Sequence, residues 1–174
     1  MQASEIFPKR RFCSIHGSKS LEKIFVLPRN TCSKYSQLTA TLKKIATPKD
    51  MLFPYDLKCI VIDNISHHLR YEVSRIKDIQ KTSKILDSFF SEVFFPLVMH
   101  CHRENVYLVL IHEASFNPHA QKVTHFNKVF SRIEALNIKM EKDLFTGQSQ
   151  MEISFDDQLY CQPYKIAKKG IVLG

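Results

Sequence analysis

Asp63 closes the apolar run Cys59-Ile60-Val61-Ile62-Asp63. A carboxylate in that place can hold Mg²⁺ through water at the carboxyl edge of an α/β sheet, the edge where nucleotides bind. It can equally cap the turn after a strand, and Asn64 and Ser66 stand beside it for that purpose. Histidine and cysteine raise a second chemistry, in His100-Cys101-His102, His67-His68 and Cys13-x-x-His16. Neighbours on a helix point about 100° apart, so His100, Cys101 and His102 cannot converge on one ion. No second pair supplies tetrahedral spacing, and surface histidines around a buried Cys101 are the simpler reading. A Cys/His hydrolase would need an oxyanion loop, and none accompanies any cysteine. Only four glycines occur, Gly17, Gly147, Gly170 and Gly174. No two of them frame a G-x-x-x-x-G-K-[ST] or G-x-G-x-x-G loop, which excludes a self-contained phosphate cradle of either kind.

The elements that must position Asp63 are legible in outline. The chain has 174 residues, 44% hydrophobic and 24% charged, a globular balance with enough length for one domain over residues 1–174. Lys and Arg exceed Asp and Glu by 25 to 17, leaving +8. That excess suits a polyanionic partner or a merely well-solvated surface. Five widely and irregularly spaced cysteines without a C-x-x-C fit a reducing intracellular compartment better than a disulfide framework. No apolar run approaches the ~20 residues of a membrane span, so no membrane partner is expected. Lys9-Arg10-Arg11 can be read as a nuclear address or, more simply, as a solvated loop.

Ile24 to Leu27 reads as a short strand stopped by Pro28. Ser33 to Ile45 carries Tyr35, Leu38, Leu42 and Ile45 at helical spacing. Asp56 to Asp63 and Val106 to Ile111 are continuous apolar runs, typical of strands buried on both faces of a parallel sheet. Between them, Glu72 to Arg103 predicts one long helix kinked at Pro96, whose ring removes an amide donor. Ser115 to Asn127 reads as a loop. Three strands close the chain, Arg132 to Met140, Gln150 to Phe155 and Pro163 to Ile166. Strand, crossover helix, strand is a βαβ unit and forces a parallel pair. The late strands are too close together for crossovers and must be antiparallel. The expected architecture is an α/β fold: a mostly parallel sheet flanked by helices, with antiparallel C-terminal strands at one edge.

The chain resembles the RecA-like recombinases of eukaryotes and archaea and their paralogues. Cys59 to Asp63, then Ser66 and His67-His68-Leu69-Arg70-Tyr71-Glu72, is similar to the Walker B strand and the "D-S-I … F-R-x-E" segment of that family. Val106 to Glu113 is similar to its next strand, which ends in a phosphate-sensing pair. Ser4-Glu5-Ile6-Phe7-Pro8 resembles its Thr-Glu-x-x-F segment, and Tyr164 to Ile171 its closing "F-x-I-x-x-x-G-I" strand and turn. The resemblance implies that Asp63 is a Walker B metal position, that Glu5 is a vestigial water-activating position, and that His112 and Glu113 occupy the sensor positions. It also implies two DNA-facing loops, one with His68, Arg70, Arg75, Lys77 and Lys81, the other with His119, Gln121 and Lys122. A solvated basic face is the alternative for those residues.

The departures set the expected function. The P-loop strand and helix are expected to be absent, and a Glu facing a phosphate would repel it. ATP and Mg²⁺ are then expected only where a P-loop is supplied from elsewhere, and the isolated chain is expected to be inactive. The resemblance implies an accessory paralogue in homologous recombination and double-strand break repair. It would assist recombinase filament assembly on single-stranded DNA, with a recombinase or paralogue subunit as partner and a nuclear location in a eukaryote, fungal paralogues being the branch most similar. Two rivals stand beside it: the C-terminal part of a working DNA-dependent ATPase whose P-loop lies upstream, and a basic nucleic-acid or protein-binding module with no nucleotide site. If either recombinase reading holds, Glu5, Asp63 and His112 should end neighbouring strands on one edge.

Overall fold

The computed structural model describes residues 1–3, 6–28, 30–47, 53–112, 114–117, 122–125, 127–143 and 146–174, with the backbone alone at 114–117, 122–125, 127 and 128. The chain divides into two compact units. Residues Met1–Phe7 and Val26–Arg132 form the first, and Pro8–Phe25 with Ile133–Gly174 the second.

The second unit opens with helix α1 (Lys9–His16) and the short helix α2 (Ser18–Leu21). In the first unit follow α3 (Tyr35–Ala46) and strand β1 (Cys59–Asp63). The crossover is built from α4 (His67–Ser74), α5 (Ile79–Phe89), a π-turn at Phe90–Phe94 and α6 (Phe95–Arg103). Strand β2 (Tyr107–Ile111) pairs parallel with β1, Cys59 opposite Tyr107 and Asp63 opposite Ile111. The βαβ unit expected from the two apolar runs is therefore present. Residues 1–3 run along the other side of β1, with Gln2 bridged in parallel to Asp63. The Asp63 amide donates to the Met1 carbonyl at 3.0 Å.

Helix α3 buries Leu38, Leu42, Ile45 and Ala46, the face its spacing predicts. They join Ile60 and Ile62 of β1, Ile65, Leu69, Phe89 and Leu97 in the core. Each such Leu, Ile or Phe contributes about 1.5–3 kcal/mol by leaving water. Phe130, at the end of α7 (Asn127–Phe130), meets Phe89 and Phe94 edge-on, with ring centroids 6.5 and 5.1 Å apart.

Several expectations need correction. The crossover is not one helix over 72–103. It breaks after Ser74 because Asp78 caps a new helix, its carboxylate accepting from the amides of Gln80 at 2.9 Å and Lys81 at 3.2 Å. Pro96 falls in the first turn of α6, after a widened turn in which the Phe95 amide donates to the Phe90 carbonyl. The insertion absorbs a donor gap that would otherwise kink a continuous helix. Ile24 to Leu27 forms no strand; its sheet-like contact is the Leu27 carbonyl accepting from the Gln2 amide at 2.8 Å. Lys9-Arg10-Arg11 is the exposed first turn of α1 rather than a loop. The segment read as a loop over 115–127 contains the antiparallel pair β3 (Ala114–Asn117) and β4 (Lys122–His125).

The parallel pair is not buried on both faces. Ile60 and Ile62 face the core, while Cys59, Val61, Tyr107, Val109 and Ile111 on the other face are exposed, Val61 by 41% and Val109 by 44%. Continuous apolar runs are equally compatible with a sheet whose second face awaits a cover.

In the second unit, β5 (Asn137–Lys142), β6 (Ser149–Phe155), β7 (Gln158–Ala167) and β8 (Gly170–Leu173) make an antiparallel meander. Of the expected strand over 132–140, only the part from Asn137 onward is strand, and it runs on to Lys142. Among the described residues the late strands pair only with one another, so they form a sheet of their own rather than an edge of the parallel pair. The β7–β8 turn needs Gly170, whose φ of +107° is closed to residues with a Cβ. No helix among the described residues is long and apolar enough to cross a membrane.

Candidate functional site

The site begins where β1 ends. Asp63 is half-buried at the carboxyl end of the strand, held by backbone bonds on the side of residues 1–3: its amide donates to Met1 and its carbonyl accepts from the amide of Ala3. The peptide to Asn64 is cis. Beyond it the chain turns sharply through the buried pair Asn64 and Ser66. The Asn64 side-chain carbonyl accepts from the Ser66 amide at 3.2 Å and the Ser66 hydroxyl at 3.0 Å. The turn is closed by the Asn64 side chain and not by Asp63, to which the capping alternative gave it, and the Asp63 carboxylate stays out of the local hydrogen bonding. The Ile65 amide donates to the Ile111 carbonyl at 3.1 Å, stitching the turn to the end of β2. His68, buried at the start of α4, reaches the Ala3 carbonyl through Nε2 at 3.2 Å and meets His67 edge-on at 5.0 Å.

His112 follows β2 directly. Since Asp63 is level with Ile111, Asp63 and His112 lie at the same edge of the parallel pair. The His112 ring packs on Phe130, with centroids 5.3 Å apart. Glu5, Glu113, His119 and Gln121 lie outside the described residues, and for Lys122 the backbone alone is described, on β4. Arg70 sits on α4, while Arg75 ends that helix with its guanidinium over the Tyr71 ring at 5.4 Å. Lys77 lies exposed in the α4–α5 connection and Lys81 exposed in the first turn of α5. The basic residues are thus spread over two helices and a linker.

The described residues contain no group of three His, Cys, Asp or Glu side chains able to hold a metal. Asp63 fits Mg²⁺ as a single carboxylate beneath an ion that brings phosphate oxygens and water with it, and as nothing more. The histidine-rich helix corrects one expectation: Cys101 is buried and His102 exposed as read, but His100 turns into the core rather than to the surface. Burial pushes the Cys101 thiol up to about 11, so it is protonated and inert as a nucleophile. Burial also lowers His100, with Arg103 adding to the effect and Glu104 opposing it. Arg103 approaches its Nδ1 at 3.2 Å. The sequence points to Asn64 and Ser66 beside this edge but gives no sign of Gln2 or Phe130 there. Gln2, which donates through Nε2 to the Pro28 carbonyl at 2.7 Å, carries no local signal.

A parallel pair with a helical crossover, an acidic residue at its carboxyl edge and an antiparallel meander make a mixed α/β fold. The crystal structure of the RadB recombinase is similar over 95% of this chain and 73% of that one, with a TM-score of 0.63 and 15% identity. At that identity the likeness is one of fold. No protein-family model matches the chain, and no curated protein matches its sequence.

Proposed function

We propose that this chain is an accessory recombinase paralogue, acting in homologous recombination by docking on a recombinase subunit and supporting its filament on single-stranded DNA. The observation that carries the reading is a RecA-like parallel pair left open. Among the described residues β2 pairs with β1 alone, and the face formed by Cys59, Val61, Tyr107, Val109 and Ile111 is exposed. An open edge beside a bare apolar face favours addition of a further strand and a covering helix. A neighbouring RecA-like subunit has both to offer. Asp63 then marks the edge at which a nucleotide held by that neighbour, with its Mg²⁺, would sit. The test is filament lifetime: the cognate recombinase is assembled on labelled single-stranded DNA and challenged with competitor strand. Addition of the chain should lengthen the lifetime, and Val61→Lys with Val109→Lys should abolish the gain. A lifetime indifferent to the wild-type chain, under conditions where the recombinase alone forms filaments, would overturn the reading.

A further inference from the structure

We infer that the second unit carries a nucleic-acid backbone site of its own, formed where α1 and α2 meet the β7–β8 turn. It lies apart in sequence and in unit from Arg70, Arg75, Lys77 and Lys81.

Residues 8–25 hold five basic side chains and one acidic one. Lys9, Arg10 and Arg11 fill the first turn of α1, with no acidic residue there, and Lys19 follows on α2. At the other element, Lys168 and Lys169 form the tip of the β7–β8 hairpin. The two clusters are brought together by Ile15 of α1, whose Cγ2 lies against the backbone of Gly170, 3.7 Å from where a Cβ would stand. Along α1, Arg11 is one turn before Ile15, while Lys19 lies on α2 beyond the break at Gly17, whose φ is +80°.

All six cations are exposed. Among the described residues none of the six has an acidic partner. Lys139 of the same unit, by contrast, is bonded to both Glu141, at 2.9 Å, and Glu152, at 3.2 Å. Such a cluster does not serve the fold: three cations in the first turn oppose the helix dipole, and like charges side by side repel. A polyanion removes both costs. The apolar residues of α1, Phe12, Cys13 and Ile15, are half-buried. A lipid surface needs apolar anchors beside the charges; α1 exposes none, and the exposed Ile166 and Ile171 that flank the hairpin tip are what a comparison with vesicles addresses. Phosphates strung along a single-stranded chain, which require charge and no pocket, match this cluster.

The probe is fluorescently labelled oligothymidine, titrated by anisotropy onto the whole chain at two salt concentrations. Arg10→Glu with Arg11→Glu, and separately Lys168→Glu with Lys169→Glu, should each weaken binding at least tenfold at low salt. Each pair should also flatten the salt dependence by about 1.4 in log–log slope, the release of about two phosphates' counterions from a single strand. Lys168→Arg with Lys169→Arg should bind as wild type. Retained affinity and slope in both charge-reversed variants would overturn the inference. So would capture of the wild-type chain by phosphatidylserine vesicles but not by the oligonucleotide. Loss of binding in Arg70→Ala with Arg75→Ala alone would overturn this site while leaving the accessory reading intact, because filament lifetime tests that reading separately.

Discussion

Two residues decide what chemistry this molecule can run. Asp63 offers one carboxylate at the edge of β1, and the described residues hold no group of three His, Cys, Asp or Glu side chains able to bind a metal. Phosphoryl transfer is chiefly positioning and charge stabilisation, so a lone carboxylate cannot accelerate it measurably. The isolated chain should therefore release phosphate from Mg-ATP no faster than buffer. A steady-state turnover that vanishes in Asp63→Ala would show that the missing grip is present after all. His100 decides a pH response instead. Its folded pKa lies below the ordinary 6.5 because burial disfavours the imidazolium. The unfolded chain thus binds the extra proton first, and the neutral ring stabilises the fold fully above about pH 6.5. That contribution is lost as pH falls through the lower folded value. Urea midpoints measured between about pH 7.5 and 5.5 should decline for the wild type, and the decline should be shallower in His100→Gln. Equal slopes would mean that His100 titrates as it does in the unfolded chain.

At the scale of elements, the crossover shows what local pattern can and cannot convey. Asp78 is a strong helix-start signal, followed by two amides it caps, yet an apolar stripe running from Ile76 through Cys101 masks it. Tertiary packing, not the stripe, decides that Ile79 is exposed while Leu86 and Phe89 are buried. Removing the cap in Asp78→Ala should cost about 1 kcal/mol of stability, seen as a lower urea midpoint at unchanged m-value. An unchanged midpoint would make α4 and α5 one helix in solution. The strand pair was legible because Cys59 to Asp63 and Val106 to Ile111 have the length and β-branched content of buried strands. Which of their faces is covered was not legible, since a run apolar at every position carries no period-2 signal. The candidate edge was readable at Asp63 for the same reason, its charge ending an apolar run. Its support from Gln2 and Ala3 was not, because a contact across about sixty residues leaves no trace in either neighbourhood.

At the scale of the whole molecule, the two units present different surfaces, and both argue against a solitary existence. The parallel pair leaves Tyr107 exposed by 77%, and among the described residues no strand but β1 pairs with β2. In the meander, the aligned residues Ile138, Phe155, Tyr160, Ile166, Ile171 and Leu173 share one face and are all exposed. Exposed apolar patches beyond a few hundred Å² mark interaction surfaces or aggregation sites, and an unpaired edge provides a template for joining. The net charge of +8 slows self-association at low salt through repulsion, a brake that screening releases. The chain alone should therefore elute above its 20.3 kDa mass, and increasingly so as salt is raised. A recombinase subunit docked on the parallel pair should reverse that trend. Light scattering after size exclusion measures both, and Val61→Thr with Val109→Thr should shift the population toward monomer by making the bare face polar. A monomer at every salt concentration, unfolding in one cooperative step, would mean that the sheet is complete as it stands and that no partner is needed to cover it.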